Sequence, residues 1–153
     1  IAEPRAIARA INRLPRTLVH GDVWGPNMGW LPAIHGRPRL LLFDWALALA
    51  GPGTYDVLWQ CGIWPTADPA RMLAFYRARL ARALWVRGHQ LDDATWLALA
   101  DAGYLRTVLT CGEGMARLAL AAPVGTARQS ALAWLRWWIE RALRAADRLE
   151  GTG

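Results

Sequence analysis

Asp22, Asn27 and Asp44 are the side chains whose types and order point to chemistry. Asp22 and Asn27 belong to His20-Gly21-Asp22-Val23-Trp24-Gly25-Pro26-Asn27, a stretch of the form H-G-D-x-x-x-x-N. Asp44 closes the apolar run Leu40-Leu41-Leu42-Phe43. A positioned carboxylate can accept the proton of a substrate hydroxyl. An amide oxygen and a second carboxylate are hard donors that suit magnesium and do not suit soft metals. Together they are the equipment of phosphoryl transfer, where a base takes the hydroxyl proton and a cation neutralises charge on the phosphates. His20 is the second catalytic candidate, and its plainer reading is a hydrogen-bonded structural histidine. A later segment, Gly51-Pro52-Gly53-Thr54-Tyr55-Asp56, adds Asp56, which reads equally as a helix cap or as a brace for the loop. A transition-metal site of His20, Asp22, His35 and Asp44 is the weaker alternative, because the ligands have no regular spacing.

These residues need elements to hold them. Thr17-Leu18-Val19 is a short β-like run directly before the polar loop, and Pro26 fixes φ just ahead of Asn27. Met28-Gly29-Trp30-Leu31 and Leu40 to Phe43 read as two strands joined by a long turn from Pro32 to Arg39. Such a hairpin brings Asn27 and Asp44 to the same end. Before it, Ile7, Ile11 and Leu14 mark a helix that Pro15 stops. After it the pattern is helical. A short helix covers Val57 to Ile63. Asp68-Pro69 starts another, with Met72, Leu73, Tyr76 and Leu80 on one face and Gly88 beyond its end. Asp92 and Asp93 begin a longer stretch, expected to break at Gly112 or Gly114. Thr126-Ala127-Arg128-Gln129 reads as a capping box that opens the last helix, which runs toward Gly151.

The stretch from Leu18 to Trp59 resembles the catalytic centre of the aminoglycoside phosphotransferase and choline kinase-like family. It carries H-G-D, Asn five residues later, Phe43-Asp44-Trp45, and an Asp after a Gly-Pro loop. The resemblance implies an α+β, mostly helical fold: a protein kinase-like C-terminal lobe with a small β-hairpin beside the catalytic loop. It implies Asp22 as catalytic base, Asn27 and Asp44 as magnesium and nucleotide-binding residues, His20 and Asp56 as braces, and ATP or another nucleoside triphosphate as phosphate donor. Ala46 stands where members often carry an acid. On this reading residues 1–153 form one domain: a helix over 1–16, the catalytic loop and metal-binding hairpin over 17–56, and a helical subdomain over 57–153. The same reading expects the N-terminal nucleotide-binding lobe to be absent from these residues, which contain no lysine for the phosphate-pairing role. The expectation is therefore an ATP-dependent transfer of the γ-phosphate to a small-molecule hydroxyl, with the chain inactive by itself. The rival is a non-catalytic remnant or interaction module that keeps the fold.

Composition bounds the remaining classes. The chain has 153 residues and is 54% hydrophobic, enough for one domain with a real core. No apolar stretch reaches the length of a membrane span. Cys61 and Cys111 are far apart without metal spacing and fit free thiols in a reducing cytoplasm. Most of the ten tryptophans belong to the core, while Trp24 and Trp45 flank the candidate site. The net charge is +6, and all 18 basic residues are arginines. Arg136, Arg141, Arg144 and Arg148 recur at helical spacing opposite Leu132, Leu135, Ile139 and Leu143. That pattern favours the solvated face of an amphipathic helix over a nucleic-acid patch. Asp92, Asp93, Asp101 and Glu113 are candidates to line a cationic substrate site, with solvated helix faces as their plainer reading.

Overall fold

A computed structural model describes residues 3–152. The first two residues of the helix expected over 1–16, and Gly153, lie outside the described residues. The elements in chain order are α1 (Pro4–Asn12), β1 (Thr17–Val19), β2 (Met28–Ile34), β3 (Arg37–Leu42), β4 (Leu49–Gly51), α2 (Thr54–Ile63), α3 (Pro69–Trp85), α4 (Asp93–Ala121) and α5 (Thr126–Glu150). The fold is α+β and mostly helical, as the sequence predicts. Its β-structure is two separate antiparallel pairs, β1 with β4 and β2 with β3.

The two long helices α4 and α5 form the backbone of the molecule, and α2 packs against α4. Leu58, Cys61, Leu73, Tyr104, Met115 and Trp138 meet in the main core. A smaller cluster of Val19, Tyr55 and Ala102 sits under β1 and β4. Close approach of α2 to α4 depends on Gly103. A Cβ there would press on Leu58 and Thr54. Thr54, fully buried, donates its hydroxyl to the Leu99 carbonyl at the same crossing.

Several boundaries differ from expectation, each for a local reason. The α4 helix runs unbroken through Gly112 and Gly114. Each glycine costs about 1 kcal/mol in a helix interior, less than the packing along this helix supplies. The hairpin turn is only two residues, His35 and Gly36, both at positive φ, and not Pro32 to Arg39. Between Leu31 and Ile34 the register slips, so Pro32 falls in a bulge where its missing N–H costs no ladder bond. The α2 helix starts at Thr54, one turn earlier than expected, with Gly53 at its N-cap. The capping box at Thr126 does not form: Gly125 is the N-cap and Thr126 is already helical.

The polarity of α5 is also rotated from the expected face. Its buried residues are Trp138, Ala142, Ala145, Ala146 and Leu149, whereas Leu132, Ile139 and Leu143 are exposed. Small alanines let α4 approach, and the leucine stripe lies to one side. The expected solvated arginine face is split accordingly. Arg141 lies over the rings of Tyr104 and Trp137. Arg148 forms a bidentate pair with Asp101, at 2.7 and 2.6 Å, and Asp101 is almost fully buried.

Candidate functional site

Between β1 and α2 the chain turns sharply through His20, Gly21 and Asp22. Gly21 has φ +84°, and any side chain there would overlap the Leu47 carbonyl. Asp56 holds the turn from outside. Its carboxylate accepts from the His20 N–H at 2.7 Å and the Gly21 N–H at 2.9 Å. The Asp56 carboxylate thus bonds the loop, while the N-cap of α2 is Gly53 and no side chain caps that helix. Tyr76 packs its hydroxyl against Gly53 nearby. Burial, then the Asp56 carboxylate, holds the Tyr76 phenol above its ordinary pKa.

His20 is buried, and both ring nitrogens are spent inside the fold. Nδ1 accepts from the Asp22 N–H at 3.3 Å, so Nε2 carries the proton and donates to the Phe43 carbonyl at 3.0 Å. Trp45 lies against the ring, 4.5 Å between centroids. His20 thus links the start of the loop to the end of β3.

The three oxygen-bearing side chains gather around this link. A 3₁₀ turn at Gly25–Asn27 carries Asn27 inward to near-complete burial. Its Nδ2 donates to the Asp22 carbonyl at 3.0 Å and to Asp22 Oδ2 at 2.9 Å. The Phe43 N–H donates to the Asn27 carbonyl at 3.1 Å, which places Asp44 next along the chain at the same end of the hairpin. Asp44 is exposed and sits at φ 60°, ψ 68°, a left-handed conformation uncommon outside glycine and tolerated by Asp. Its Oδ1 accepts weakly from Ala46 N–H at 3.4 Å. Among the described residues, Asp22 Oδ1, Asn27 Oδ1 and Asp44 Oδ2 have no protein donor. This is a half-buried carboxylate with one oxygen fixed and one available, next to two hard oxygen donors.

Other candidates fall elsewhere. His35 occupies the hairpin turn, and no group of three His, Cys, Asp or Glu among the described residues is placed to hold a metal ion. That overturns the transition-metal alternative. Asp92 caps α4 through Thr95, Asp93 pairs with Arg77, Asp101 with Arg148 and Glu113 with Arg117. Each of the four acids considered for a cationic substrate site thus has a partner of its own. Sequence reading missed β4, whose pairing with β1 (Val19 opposite Leu49) fixes the loop's base. It also missed Trp64, whose indole lies 3.9 Å from the position a Gly25 side chain would take. Leu49-Ala50-Gly51 lacks β-branched residues, so no strand signal was there to read. Both cysteines are free and buried, and no described helix is long and apolar enough to cross a membrane.

A family model described as phosphotransferase enzyme family matches residues 2–91. No curated protein and no solved structure matches the chain.

Proposed function

The chain belongs to the phosphotransferase enzyme family, and on that premise we propose that it is the catalytic lobe of an ATP-dependent enzyme that phosphorylates a small-molecule hydroxyl. The observation that carries this reading is the hydrogen-bonded chain His20–Phe43–Asn27–Asp22, which ties the loop and the hairpin end into one unit. Asp22 is the base. Asn27 fixes Oδ2, and Oδ1 is left to accept the proton of an incoming hydroxyl. His20 and Asp56 are positioning residues. Asn27 Oδ1 and Asp44 would hold magnesium, which offsets charge on the phosphates when bound. Orientation and electrostatics supply most of the barrier reduction in such transfers, so a rigid, braced loop is the relevant asset.

Nucleotide gripping needs a phosphate-covering loop and a strand cation, which in kinase-like enzymes come from a separate lobe. Arginine, a planar fork, is no simple substitute for the compact lysine charge. We therefore assign that task to a nucleotide-binding lobe outside these 153 residues, and the chain alone binds nucleotide weakly and transfers no phosphate. The metal assignment is tested by titrating magnesium in the presence of ATP and following tryptophan fluorescence, to which Trp45 contributes. Asp44→Ala is expected to lose the saturable magnesium response of the wild type while helix content by circular dichroism is unchanged. An identical magnesium response in the variant would sink the assignment.

A further inference from the structure

A cavity of about 660 Å³ opens between the end of α1, the C-terminal half of α3 and the start of α4. Its volume falls in the range of small-molecule sites. Leu80 and Leu84 of α3, Leu91 just before α4 and Leu99 within it supply apolar lining. The Arg77–Asp93 ion pair clips α3 to the start of α4, and the Arg77 guanidinium lies over the Trp96 ring. Asp22, Asn27 and Asp44 do not line this cavity. Two arginines do, Arg16 and Arg87. Each is anchored through one nitrogen on a neutral acceptor. Arg16 Nη2 donates to the Asn12 carbonyl at 3.2 Å and to Asn12 Oδ1 at 2.9 Å, and Arg87 Nη1 donates to the Ala83 carbonyl at 3.0 Å. Among the described residues neither has a carboxylate within ion-pair distance, whereas Arg77, Arg117, Arg136, Arg144 and Arg148 each do. Asp92 is the one acid of the lining, and both its oxygens accept from Thr95, at 2.7 Å from the N–H and 2.7 Å from the hydroxyl.

We propose that this cavity is a binding site, separate from the Asp22 loop, for a small organic anion with an apolar body and a carboxylate or phosphate head. The body lies against the leucines, and the head takes the donors that Arg16 and Arg87 leave unused. A guanidinium is a planar fork with five N–H donors, and its geometry matches the oxygens of either head. Anchoring through one nitrogen reduces the side-chain ordering that binding would otherwise cost. A neutral ligand of the same shape gains the apolar contact and leaves the arginine donors to water. A cation meets two guanidinium groups, with the single carboxylate already bonded to Thr95. Both arginines are exposed, so the head adds selectivity of modest size that salt weakens.

The test is binding to the chain as it stands, by calorimetry and amide NMR at low and at physiological salt. The probes are 2-naphthoate and 2-naphthyl phosphate, with 2-naphthalenemethanol as the neutral control. At low salt at least one anion is expected to bind about tenfold more tightly than the alcohol, and the tighter of the two identifies the head. The shifted amides should include those of Thr17, Leu84 and Thr95, which line the cavity. Arg16, Ala83 and Arg87 are exposed, so substitutions there leave the core untouched, which circular dichroism checks. Arg16→Gln combined with Arg87→Gln is expected to remove the tenfold preference and leave binding of the alcohol unchanged. Ala83→Trp, which places an indole in the cavity, is expected to weaken all three probes about tenfold. Asp22→Asn should bind them as the wild type does. Equal binding of the alcohol and both anions, amide shifts confined to other parts of the chain, or an anion preference that survives loss of both arginines would each overturn the proposal. So would loss of anion binding in folded Asp22→Asn, because the site would then be the catalytic loop.

Discussion

Gly21 fixes the geometry of the loop because it combines positive φ with a backbone oxygen directly where a Cβ would stand. Gly36 also has positive φ but open space around it. The pair separates strain from overlap. Gly36→Ala should cost about 1 kcal/mol from conformation alone. Gly21→Ala should cost more than the 1–3 kcal/mol typical of such strain, about 3 kcal/mol or above, and abolish the magnesium response. Equal losses in urea unfolding of the two variants would show that the Leu47 contact is unimportant. Cys61 gives a pH prediction. Burial pushes its thiol up from 9.0 to about 11, with the Asp68 carboxylate adding to it. The unfolded chain ionises first, so this contribution to stability is intact below pH 9 and is lost as pH rises toward 11. Alkylation of folded protein at pH 8 should be slow and speed up sharply in denaturant; equal rates would contradict the burial. At this scale much was legible. The spacing of H-G-D, Asn27 and Asp44 carried the family resemblance, and the family match bears that resemblance out. The bond from His20 to Phe43 spans twenty-three residues, and the left-handed backbone of Asp44 is a φ value that sequence does not carry.

Among the helices, the Arg148–Asp101 pair locks α5 to α4 at a place where the carboxylate is buried. Removing the arginine strands that charge. Arg148→Ala should cost on the order of 3 kcal/mol, the bottom of the range for a buried pair because Arg148 itself is partly exposed. Arg136→Ala removes an exposed i,i+4 pair with Glu140 and should cost under about 1 kcal/mol. Denaturation midpoints of the two variants measure the difference, and similar values would show the interhelical pair to be no more than a surface contact. Element types were readable because Asp68-Pro69 and Asp92 mark helix starts, and Gly88 and Gly151 mark ends. The continuity of α4 through its glycines and the rotated face of α5 were not readable. Both are decided by how α4 and α5 fit each other, which local periodicity cannot supply.

Over the whole molecule the apolar surface is uneven. The α4–α5 side buries Trp138 and Leu149 completely or nearly so, whereas the β2–β3 hairpin leaves Trp30 74% and Leu40 49% exposed. An isolated hairpin is marginal in water, and an exposed apolar patch is a candidate interaction surface. The proposed nucleotide-binding lobe is one structure that such a surface would meet. The measurement that reaches the central claim is phosphate transfer from ATP to neutral and cationic acceptors by the chain joined to a nucleotide-binding lobe, in wild type and Asp22→Asn. The joined wild type should transfer phosphate where the chain alone does not. Asp22→Asn should lower the rate by about 10²–10⁴-fold, the usual share of a general base, with the fold intact. Near wild-type transfer by the folded Asp22→Asn enzyme would contradict the role given to this loop.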